Sequence, residues 1–164
     1  TNRISGGKFS LKIFDGDSAI HELERLHFYY LLETERVKTD IFFLTNRGWY
    51  YVHFTGDTVP FRPGNPPFYP RKVGEFEPLV DGEWHSVTLD LFNIFANFMA
   101  KEEFEGLRIK KVFWAYGSYG YTDAGLTGNF KGDHYYLDDI FFSSAQGDAF
   151  KVAWKDSQGT LEEE

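Results

Sequence analysis

Residues 38–55 read KTDIFFLTNRGWYYVHFT, and the fold is decided by how this stretch is read. Lys38–Thr45 and Trp49–Thr55 are short runs of aromatic and β-branched residues, the types that favour strands. Asn46-Arg47-Gly48 between them is a hairpin connection, with Gly48 suited to a positive φ. Two strands joined by a tight turn are expected, and the rest of the chain extends the pattern. Lys8–Phe14 reads KFSLKIF, with Phe9, Leu11 and Ile13 on one face. Arg25–Leu32, His85–Leu91, Leu107–Tyr116, His134–Ser143 and the shorter Ala149–Trp154 are further strand-like runs. Many short strands at this spacing predict an all-β fold: a two-sheet antiparallel β-sandwich of jelly-roll type.

Only Leu91–Lys101 departs from the strand period. Phe92, Ile94, Phe95, Phe98 and Met99 recur near every 3.6 residues, and Asp90 stands where an N-cap belongs. One short helix across an end of the sandwich is expected. Two stretches are loops. Gly56–Pro70 holds Pro60, Pro63, Pro66, Pro67 and Pro70, and cannot pair as an interior strand. Gly117–Gly132 contains five glycines, and loops of this length are often functional. Residues 1–144 are assigned to one sandwich domain. Residues 145–164 are read as a final strand, or a linker or tail towards a following module. The chain begins at Thr1 without Met, which is expected of a piece cut from a longer precursor.

Composition limits the function. The 164 residues suit one domain with a sizeable core, and 42 % are hydrophobic. The 20 % aromatic content comes from 18 Phe, 10 Tyr and 4 Trp. A thick aromatic core is the first reading of that excess, and ligand platforms are the second. The net charge is −8, and Arg108, Lys110 and Lys111 are the only basic cluster. Binding to nucleic acid, which needs a basic stripe, is therefore not expected. Nor is attraction to an anionic membrane. The absence of Cys excludes disulfides, thiolate metal sites and a cysteine nucleophile. No apolar run approaches a membrane span of about 20 residues.

Three segments carry a family resemblance. GGKFSLKI (Gly6–Ile13) comes first, then DGEWHSVTLDL (Asp81–Leu91), and YYLDDIF (Tyr135–Phe141) closes the series. This order resembles bacterial carbohydrate-binding modules of the jelly-roll, galactose-binding-like superfamily. The resemblance implies a non-catalytic polysaccharide- or oligosaccharide-binding module of a larger extracellular, periplasmic or cell-surface protein, with other domains of the same polypeptide as neighbours. It also implies one structural Ca2+, with Asp138 as a ligand from the closing strand. The segment before the first strand, which commonly supplies further acidic ligands in such modules, has no Asp or Glu here.

Sugar recognition needs an aromatic plate and a few polar groups at its rim. The candidate ligand-binding residues are Trp49 and Tyr51, which alternate in one strand, Trp114 and Tyr116 in another, and Tyr119, Tyr121, Asp123 and His134 in or beside the glycine-rich loop. Tyr29 could join the same surface. The competing reading puts Trp49, Tyr51 and Trp114 in the core, Trp114 because it shares a face with Val112. Trp84 is expected to plug one end of the sandwich. His27 and His53 are read as packed or surface residues, and no His spacing suits zinc. Asp138 and Asp139 are adjacent in a strand and are expected on opposite faces, so they cannot flank one glycosidic bond. Neither a nucleophile elbow nor a phosphate loop is present, and no catalytic residue is assigned. A structural or protein-interaction sandwich is the first alternative, and a small polysaccharide lyase or hydrolase is the second.

Overall fold

The computed structural model describes residues 2–5, 10–37, 39–55, 70–115, 134–144, 149–151, 155–156 and 160–163. In chain order the strands begin with β1 (Asn2–Ser5), β2 (Ser10–Ala19), β3 (Arg25–Leu31), β4 (Thr39–Thr45), β5 (Gly48–Thr55), β6 (Arg71–Glu75) and β7 (Trp84–Asp90). Helices α1 (Leu91–Phe98) and α2 (Lys101–Glu105) follow. Strands β8 (Arg108–Ala115), β9 (His134–Ser143), β10 (Ala149–Lys151), β11 (Lys155–Asp156) and β12 (Thr160–Glu163) complete the chain. They form two six-stranded sheets, so the protein is an all-β sandwich. The front sheet runs β12-β1-β9-β3-β7, with β10 also on β9, and the back sheet runs β11-β2-β8-β4-β5-β6. Pairing is antiparallel except between β5 and β6. The strands after Ser144 add to both sheets, with β10 and β12 in front and β11 behind.

Between the sheets lies an aromatic core. Phe28 of the front sheet lies 5.8 Å from Phe54, with the rings tilted, and meets Trp114 edge-on at 5.1 Å, both from the back sheet. Edge-to-face contacts of this kind add to the burial of apolar area. The β4–β5 hairpin forms around Asn46-Arg47, and Gly48 has φ +114°. Thr45 closes the turn: its hydroxyl donates to the Gly48 carbonyl at 2.8 Å and accepts from the Arg47 N–H at 2.9 Å.

Helix α1 starts where the periodicity places it. The Asp90 carboxylate accepts the Asn93 backbone N–H at 3.1 Å, an N-cap contact. Leu91 and Phe95 face the core, and Phe95 packs edge-on against Phe43 and Tyr50. The expected helix to Lys101 is broken, because Met99 and Ala100 are extended and α2 is a separate single turn.

One irregularity matters for the site. Along β3 and β9 the register passes from Tyr29↔Asp138 to His27↔Phe141, so two residues of β9 oppose Phe28. Asp139 is the bulged residue, at φ +47°, and the Asp138 carboxylate accepts its N–H at 2.9 Å. The bulge inverts the alternation of β9. Tyr135 and Leu137 point inward before it, and Ile140 and Phe142 after it. This corrects the expectation of opposite faces for the Asp138–Asp139 pair: Asp138 stays on the outer face, and Asp139 is exposed rather than turned into the core.

Candidate functional site

The structure divides the residues singled out from the sequence. Trp114 is 0 % exposed in the inner layer of the back sheet and offers no ring face to a ligand. Trp49 and Tyr51 share a face, as their spacing requires, but it is the opposite face of that sheet. There Phe42 lies 5.6 Å from Tyr51 and 5.8 Å from Phe113, and Trp49 meets Phe113 edge-on at 5.7 Å. Trp49 is 9 % exposed, and the rings of this second aromatic layer are buried. A plate combining Trp49 and Tyr51 with Trp114 therefore does not form, because β4 separates their strands and the sheet separates their faces. Tyr116, Tyr119, Tyr121 and Asp123 lie outside the described residues.

The outer face of the front sheet presents a different set. Register places Tyr136, Leu31 and Trp84 side by side across β9, β3 and β7. The next row is Asp138, Tyr29 and Ser86. Trp84 is 39 % exposed and Tyr29 is 44 % exposed. Trp84 thus does not plug the sandwich end, because Leu89, which is buried, puts 85, 87 and 89 on the inner face and Trp84 on the outer one. Its ring approaches Tyr136 at 6.4 Å, and Tyr136 meets His134 edge-on at 5.4 Å. Of the sequence candidates, His134, Asp138 and Tyr29 belong to this face. Tyr136, Leu31 and Glu33 were not singled out.

Polar groups flank the rings. His134 Nε2 lies 3.0 Å from a Glu33 carboxylate oxygen. One row further on, His27 ties three strands together. Its Nδ1 is 2.9 Å from the Thr88 hydroxyl and its Nε2 is 2.7 Å from the Ser143 hydroxyl. Its ring lies flat on Phe141 at 4.5 Å. Partial burial, followed by the nearby Arg25 charge, lowers the His27 pKa below its ordinary 6.5. The shift favours the neutral imidazole, a form that has one donor and one acceptor nitrogen for the two hydroxyls. The face as a whole offers stacking surface beside hydrogen-bonding groups.

A second polar group lies on the outer side of the back sheet. Asp40, buried in β4, accepts from His53 Nδ1 at 2.7 Å and from the Phe54 N–H at 3.1 Å. Burial raises its pKa, and His53 opposes that shift. Among the described residues no three His, Cys, Asp or Glu side chains converge as a metal site. No helix among the described residues is long and apolar enough to cross a membrane.

Comparison of the chain with protein-family models, curated proteins and solved structures found no match.

Proposed function

We propose that this domain is a non-catalytic carbohydrate-binding sandwich whose platform is the outer face of the front sheet. The observation that carries this reading is the exposure of Trp84 and Tyr29 on neighbouring strands, beside Tyr136 and within reach of polar groups. In an aromatic-rich protein most rings are buried, so large rings left open on a regular sheet call for a partner. A sugar fits because its C–H face stacks on a ring while its hydroxyls bond to carboxylate and imidazole groups. Asp138, Glu33 and His134 are the candidates for orientation. The site is shallow, so affinity per site is modest and neighbouring modules of the same polypeptide would raise it by avidity. An extracellular, periplasmic or surface location belongs to the same reading, because polysaccharides are met there.

The test is affinity electrophoresis and a glycan array, with and without calcium, on the wild type and on Trp84→Ala, Tyr29→Ala and Trp49→Ala. Retention lost in folded Trp84→Ala and Tyr29→Ala supports the platform. Retention on no glycan would move the reading to a protein-interaction sandwich, which the burial of Trp49, Tyr51 and Trp114 favours.

A further inference from the structure

Each sheet of an open sandwich ends in edge strands, and an edge left bare is a template for another chain. Several of the described edges here are blunted. At one end of the back sheet β6 is short, carries Arg71, Lys72 and Glu75, and has a register shift. At the other end β11 has two residues, and the stretch of β2 beyond it carries Asp15, Asp17 and two register shifts; β10, at the end of β9, has three residues. In the front sheet β12 has four residues and contains Glu162 and Glu163.

Among the described residues the edge strand β7 has none of these devices. It reads WHSVTLD over seven residues. It contains no Pro and no Lys, and its only carboxylate, Asp90, is engaged at the start of α1. Its seven pairs with β3 run without a register shift. Among the described residues no strand pairs with its other side. Trp84, Ser86 and Thr88 are exposed.

We propose that β7 is a pairing edge for a second copy of this chain, joining two front sheets into one continuous sheet about a two-fold axis. An axis normal to the sheet keeps outer residues opposite outer residues. The antiparallel register that uses the whole strand is centred on Val87. It sets Trp84 opposite the partner's Asp90, Ser86 opposite the partner's Thr88, and His85 opposite the partner's Leu89. No like charges face each other in this register, so the strand is complementary to itself. Pairing brings the two aromatic faces onto one surface, with the partner's Asp90 and Thr88 next to Trp84 and Ser86. The inference does not depend on what that surface binds.

Sedimentation velocity over a concentration series, at about 0.15 M salt to screen the negative charge, tests the register. The wild type is expected to dimerise with increasing concentration. In Ser86→Lys/Thr88→Lys two Lys–Lys pairs form across the axis, which should weaken the dimer about tenfold or more. In Ser86→Lys/Thr88→Glu each Lys faces a Glu, and dimerisation should return. Both substituted positions are exposed, and melting curves check that the fold is kept. A wild type that stays monomeric at millimolar concentration overturns the proposal, as does a dimer indifferent to both double variants.

Discussion

Trp84 and Tyr136 approach each other across Leu31, with ring centroids 6.4 Å apart, although they come from strands at opposite edges of a three-strand span. Because this contact lies on an open face, it contributes little to stability. Trp84→Ala and Tyr29→Ala should change unfolding free energy by no more than about 0.5–1 kcal/mol, the range of surface substitutions. Trp49→Ala, in contrast, opens a cavity beside Phe113 and should cost about 3–5 kcal/mol. Urea denaturation of the three variants separates the open face from the buried layer. Equal losses in all three would sink the distinction.

Asp40 accepts two hydrogen bonds through one oxygen. Asp40→Asn can keep both acceptor contacts without burying a charge, and it should lie within about 1 kcal/mol of the wild type. Asp40→Ala strands the His53 and Phe54 donors and should cost about 2–4 kcal/mol. The pH dependence has a definite sign. Since burial raises the Asp40 pKa above 3.8, its proton-linked stability is full below that value and is lost as pH rises through the raised one. Asp40→Asn should therefore gain on the wild type from acid towards neutral pH in paired denaturation curves.

His27 should make the fold acid-sensitive. Its folded pKa lies below the 6.5 of the free side chain. As pH falls below that value the unfolded chain takes up the proton first, so stability present above it is lost on the way down. Melting temperatures of the wild type and His27→Asn, followed from about pH 8 to about pH 5, should show the wild-type advantage shrinking. A constant difference would remove His27 as the cause.

The bulge supplies a backbone test. Asp139 has φ +47°, a region that Asp tolerates and β-branched residues resist. Asp139→Gly should be nearly neutral. Asp139→Val should lose about 1–2 kcal/mol in chemical denaturation without any loss of a core contact. Similar values for the two would mean that the positive φ imposes no strain.

Much of the site was present in the alternation of the chain. Once Tyr135 and Leu137 are taken as inward, His134, Tyr136 and Asp138 must be outward, and Leu89 as an inward residue turns Trp84 to solvent. Tyr136 and Trp84 could have been found by carrying that parity through each strand. The same reasoning fails on the back sheet, where β4 is buried on both faces at Ile41, Phe42 and Phe43. Alternation there assigns two faces but not which one is open. It also fails past Asp139, since a single inserted residue inverts every side chain that follows.

The sequence by itself determined the β-rich class, the Asn46–Gly48 turn, the Asp90 cap and the positions of β3, β4, β5, β7, β8 and β9, because these depend on neighbours within a few residues; β1, β6, β11 and β12 lack such a local signal. Tertiary structure decided which sheet each strand joined, which aromatic layer was covered and which strands lie at the sheet edges among the described residues. Those outcomes depend on pairings between distant segments, such as Leu31 with both Trp84 and Tyr136, and no local pattern encodes a partner that is fifty or a hundred residues away.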